Sequence, residues 1–73
     1  MSMIARNIRH LRSSRGLSLE AVSKRSGLSK PTIWAIERGE SSPKLATVEK
    51  LARAFSVPAT ELIGEDLESK LTA

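Results

Sequence analysis

The segments Gly16-Leu17-Ser18, Ser26-Gly27-Leu28-Ser29 and Ile36-Glu37-Arg38-Gly39 decide the fold of this chain, because together they punctuate two short helices. Ser18 and Ser29 each stand where a hydroxyl can accept a hydrogen bond from the unpaired N–H groups that open a helix. Gly27 suits the left-handed conformation that lets the chain leave the first of the two sharply. Glu20 falls in the first turn of that helix, where the dipole favours negative charge. The layout is that of a helix-turn-helix, with one helix at about Leu19 to Ser26 and the other at about Lys30 to Arg38. The start of the second has two readings. Either Ser29 is its cap, or Pro31, which prefers the first helical position and disfavours a helical Lys30, moves the boundary by one residue.

Working outward, Ile4, Ile8 and Leu11 recur at i, i+4 and i+7 and predict a helix over about residues 3 to 14, closed by Arg15-Gly16. Leu19 and Val22 give the next helix its inward side. Gly39 stops the helix after that, and Glu40-Ser41-Ser42-Pro43 makes a loop. Val48, Leu51, Ala52 and Phe55, at i, i+3, i+4 and i+7, predict a fourth helix. A fifth short helix is expected after Val57-Pro58, burying Leu62 and Ile63 and ending at Gly64. The expectation is an all-α domain over residues 1–64. Residues 65–73 form a short acidic tail, either disordered or assisting a dimer.

Composition narrows the function classes. At 73 residues the chain is one domain at most, and a core of that size yields only ~3–5 kcal/mol of net stability unless an oligomer adds to it. There is no Cys and one His, so disulfide scaffolds, thiolate metal sites and imidazole clusters are excluded, and no cofactor is expected. No apolar run approaches membrane-spanning length, and the N-terminus reads as an amphipathic helix rather than a signal peptide, so a cytoplasmic protein without a membrane partner is expected. Charge is unevenly placed, with +6 over residues 1–44 and −2 over residues 45–73. The basic part contains the helix-turn-helix, where phosphates would need neutralising.

Five groups of residues then carry a family likeness: Ile8-Arg9-His10-Leu11-Arg12, Arg15-Gly16-Leu17-Ser18, Ser26-Gly27-Leu28-Ser29, Ile33 with Ile36-Glu37-Arg38-Gly39, and Leu51-Ala52-Arg53-Ala54-Phe55. Over about residues 4 to 63 the chain resembles the Cro/C1-type (XRE) helix-turn-helix family of bacterial and phage transcription regulators. The resemblance implies a five-helix, lambda-repressor-like domain that is not an enzyme. It also implies a homodimer that binds a pseudo-palindromic site on double-stranded DNA with helix three in the major groove. Phage-type repressors and restriction-modification controller proteins match in scale. Three positions depart from the family pattern. Leu19 replaces a Gln that in many members anchors the DNA backbone, Trp34 replaces a small polar residue, and Lys44 stands where a capping Ser is usual.

A helical wheel for helix three puts Ile33, Ile36 and Glu37 on one side and Pro31, Trp34, Ala35 and Arg38 on the other, with Lys30 and Thr32 flanking its N-terminal end. The second set, with Lys30 and Thr32, supplies the base-reading candidates: Lys or Arg can donate to guanine O6/N7, Thr can contact a base or phosphate, and apolar groups can cover thymine methyls. The alternative for Lys30 and Arg38 is a solvated charge, and Arg38 also suits backbone capping. Trp34 either enters the groove or packs on the loop before helix four. Ser29, Ser41, Ser42 and Lys44 are phosphate candidates by resemblance, with loop solvation as the alternative. Arg9 and Arg15 could extend the basic rim, with solvation as the favoured reading, and His10 is read as solvated. Arg12 follows Ile8 by four and Glu37 follows Ile33 by four, so both edge onto buried faces and should pair, because an isolated buried charge is costly.

The main rival reading is an antitoxin or coactivator that uses the same fold to hold a partner protein. An enzyme finds no support, since no Ser has a base in a recognisable arrangement and the carboxylates show no paired or metal-ligand spacing. Leu62, Ile63, Leu67 and Leu71 form an apolar remainder at the C-terminal end and are the candidates for a dimer contact.

Overall fold

The computed structural model describes residues 3–63, and within them the chain forms five helices and no strand: α1 (Met3–Ser14), α2 (Leu19–Ser26), α3 (Lys30–Glu37), α4 (Leu45–Phe55) and α5 (Ala59–Leu62). Leu67 and Leu71, and with them the whole tail, lie outside the described residues.

The caps follow from residue chemistry. Ser18 has extended backbone and its Oγ accepts from Ala21 N at 3.0 Å, so α2 begins at Leu19. Gly27, at φ +79°, donates its N–H to Ser23 O and turns the chain out of α2. At α3 the first reading of the boundary holds: Ser29 is the cap, its Oγ accepting from Thr32 N at 3.3 Å, and Pro31 sits inside the first turn, where its missing N–H costs no helical bond. Arg38 is the C-cap rather than the last helical residue, and Gly39 at φ +74° ends the run. Lys44 occupies the N-cap of α4 without a side-chain hydrogen bond, as a residue with no acceptor must.

Packing joins α1 to α3 and α5, α2 to α3 and α4, and α4 to α5. Ile8, Val22, Ile33, Ile36, Leu51, Phe55 and Leu62 are fully or almost fully buried at the centre, with Val48 and Ala52 beside them. One expectation is corrected here. Leu62 is buried but Ile63 is 45% exposed, because α5 is a single turn and the C-cap residue after Leu62 points away from the face that reaches Phe55. Leu62 is consequently spent on the protomer's own core and is not available as a dimer contact.

Two side chains brace this frame from α1. Asn7 Nδ2 donates to Leu62 O, tying α1 to the end of α5. Arg15 Nη1 donates to Phe55 O, so a residue read as solvated or as part of a basic rim instead caps the last turn of α4.

Candidate nucleic-acid interface

Helix α3 is fixed from behind by an ion pair. Arg12 Nε donates to Glu37 Oε2 at 2.7 Å and Nη2 to Glu37 Oε1 at 3.0 Å, a bidentate fork, while Nη1 donates to Leu17 O at 3.2 Å. Glu37 is 1% exposed, so its carboxylate depends on this partner. The Glu37 hydrogen bond holds the Arg12 pKa above its ordinary value, with charge attraction adding to it and partial burial opposing. The pair joins α1 to α3 and, with the buried Ile33 and Ile36, fixes the inner side of α3 against the bundle.

The opposite side of α3 faces outward. Lys30, Pro31, Thr32, Trp34 and Arg38 are exposed, whereas Ala35 is half-buried on the flank. Thr32 Oγ1 lies 2.8 Å from Ser29 Oγ, so the two hydroxyls share one hydrogen bond at the helix start. Trp34 is 46% exposed and lines a surface hollow with Leu19, Lys30 and Pro31, which puts the ring across the turn from α2. The Arg38 guanidinium stands 5.8 Å from the centre of that ring and its Nη2 meets Glu40 Oε2 at 2.8 Å. Ser41, Ser42 and Lys44 are exposed along the loop that leads into α4.

The turn between α2 and α3 carries a lock that pattern reading did not find. Ser23 Oγ donates to Leu28 O, and Leu28 N donates to Ser26 Oγ at 3.1 Å. Two serines on the last turn of α2, each within a few residues of Gly27, are the local signal for such hydroxyl-to-backbone bonds. Rigid spacing between the two helices follows. Among the described residues no cluster of His, Asp or Glu could hold a metal ion, and no helix is long and apolar enough to cross a membrane.

Residues 4–62 match the family model described as the helix-turn-helix domain. The cryptic phage CTXphi transcriptional repressor RstR of Vibrio cholerae is 46% identical over 63 residues, which is 86% of this chain and 57% of RstR. An HTH_3 family transcriptional regulator from Vibrio cholerae superposes with a TM-score of 0.84 at 43% identity, covering 89% of this chain and 36% of that one. The restriction-modification controller protein C.AhdI from Aeromonas hydrophila gives a TM-score of 0.79 at 33% identity, covering 82% and 91%. This chain thus spans 57% of the length of RstR and 36% of the HTH_3 regulator. A match that runs from α1 to the end of α5 makes the chain a member of the helix-turn-helix family of transcriptional regulators.

Proposed function

We propose that the chain binds double-stranded DNA sequence-specifically, as a homodimer on a pseudo-palindromic operator, and so regulates transcription in the manner of a repressor or a restriction-modification controller. The observation that carries this reading is the two-sidedness of α3: its inner side is clamped by core contacts and Arg12–Glu37, and its outer side presents Lys30, Thr32, Trp34 and Arg38 to solvent. Base contacts come from that outer side, with Lys30 and Arg38 as donors to purine edges and Pro31, Trp34 and Ala35 as apolar surface. Ser29, Ser41, Ser42 and Lys44 anchor phosphates and set the register. The similarity to RstR and C.AhdI favours this class over an antitoxin or coactivator.

The dimer contact runs through the fifth helix and its C-cap residue Ile63, which is 45% exposed. It places two copies of α3 about one DNA turn, ~34 Å, apart. Selection of bound duplexes from a random pool tests the whole reading. A recurring inverted repeat with half-sites about one turn apart is expected, and a pool with no enriched sequence contradicts it.

A further inference from the structure

The hollow between α2 and α3 measures about 520 Å³ and is lined by Leu19, Pro31 and Trp34, with Lys30 as its one charged member. Resting on the DNA-reading role of α3, we infer that this hollow receives the C5-methyl groups of thymines in the major groove, which makes Leu19 a specificity-determining residue supplied from outside the reading helix. Leu19 and Pro31 can neither accept nor donate a side-chain hydrogen bond to a base edge, and Trp34 offers a single donor, its indole N–H. Selection by such a surface works by shape and apolar contact. The thymine methyl is the apolar group that base pairs display in the major groove, so it is the matching ligand.

Charge favours DNA over an apolar protein side chain as the occupant. Leu19 opens α2, and Lys30 and Pro31 open α3, so two helix N-termini with their positive partial charge flank the hollow beside the Lys30 ammonium. No acidic residue lines it. Glu20, in the first turn of α2, offsets part of this field, but Lys30 and the start of α3 keep the Pro31 side positive, so a polyanion compensates the loss of water there and an uncharged apolar side chain does not. The hollow is shallow and open to solvent, so a methyl projecting from the floor of the groove can rest on it without any side chain moving aside. The Arg38 guanidinium stands 5.8 Å from the centre of the Trp34 ring, which adds a second positive charge near the hollow.

The test replaces thymines of the selected duplex, one at a time and then in pairs, by deoxyuridine, which deletes the methyl and keeps every hydrogen-bonding group. Burial of one such carbon is worth about fourfold in affinity. Binding of the intact chain should fall about fourfold at one or two positions and multiplicatively when both are changed. That penalty should vanish in Leu19→Ala and in Trp34→Ala, the latter an exposed site whose truncation spares the core, and persist in Lys44→Ala. Equal affinity for thymine and deoxyuridine duplexes, which leaves the hollow to a protein side chain, overturns the inference while leaving DNA binding intact; so does a penalty that survives in both Leu19→Ala and Trp34→Ala. Absence of any bound duplex would instead remove the DNA-binding reading itself, and the inference with it.

Discussion

Glu37 and Arg38 are neighbours in the chain, and each meets one opposite charge, yet the two pairs have different physics. Glu37 is enclosed by the bundle and receives a two-pronged hydrogen bond from Arg12. Arg38 and Glu40 meet at a similar distance, 2.8 Å, but with both side chains more than half exposed. Water competes fully for the second pair and reaches the first only from the Arg12 side, so the first is a structural joint and the second is worth little. An exposed pair can be given up when a stronger anion arrives. The turn of the helix at one peptide step therefore separates a group that builds the protein from a group free to act on a ligand.

The largest effect should come from breaking the buried side. Arg12→Ala strands the Glu37 carboxylate and should cost about 3–5 kcal/mol, most of the stability of so small a domain, visible as a large drop in thermal midpoint. The protein that remains folded should still bind DNA. Replacing both partners, Arg12→Met with Glu37→Leu, should recover much of the loss, since it removes the unpaired charge along with the pair. The raised pKa of Arg12 also fixes a sign. Its contribution is fully present below the ordinary arginine range and is lost only as pH climbs through the raised value, so melting curves across neutral pH should show no loss from this group. Abolished binding with unchanged stability in Arg12→Ala would reverse the roles given to the two faces.

On the outer face the effects should be smaller and should fall on binding. Lys30→Ala should weaken specific binding by about 1–3 kcal/mol and alter base preference, whereas Lys44→Ala should weaken binding alike on all sequences and lower the salt slope by about one. Titrations at several salt concentrations on cognate and scrambled duplexes separate the two. Equal, sequence-independent losses would make Lys30 a phosphate contact only. Glu40→Gln should change stability by less than ~1 kcal/mol. It should modestly raise DNA affinity, because it releases Arg38 and removes a like charge from the approach of a phosphate; a weakened complex would show instead that Glu40 positions Arg38. Smallest in energy is an optical change. Trp34 is the single Trp of the chain, so its emission should shift when cognate duplex is added, and an unchanged spectrum would place the ring away from the DNA.

Much of this arrangement was legible from residue types and spacing, and most of what was not depends on contacts between elements far apart in the chain. The pairing of Arg12 with Glu37 could be read because each follows a core isoleucine by four, so local periodicity alone aims both inward. The caps at Ser18 and Ser29 are likewise local. Ile63 was misjudged because one helical turn is too short for a period to tell it from Leu62. The bonds from Asn7 to Leu62 O and from Arg15 to Phe55 O join residues far apart in the chain, and nothing in their neighbourhoods announces the partner. The hollow beside Trp34 depends on the angle between α2 and α3, which brings Leu19 to it across the turn. A wheel drawn for one helix cannot contain that.

The separation of the two faces of α3 is tested most directly by following backbone amide and indole N–H resonances of the labelled protein during titration with the selected duplex. The largest shifts should fall on Lys30, Thr32, Trp34 and Arg38 and on the segments opening α2 and α4. Arg12 and Glu37 should move little. Shifts concentrated around Ile63 with α3 unperturbed would contradict this division and assign the interface to the other end of the molecule.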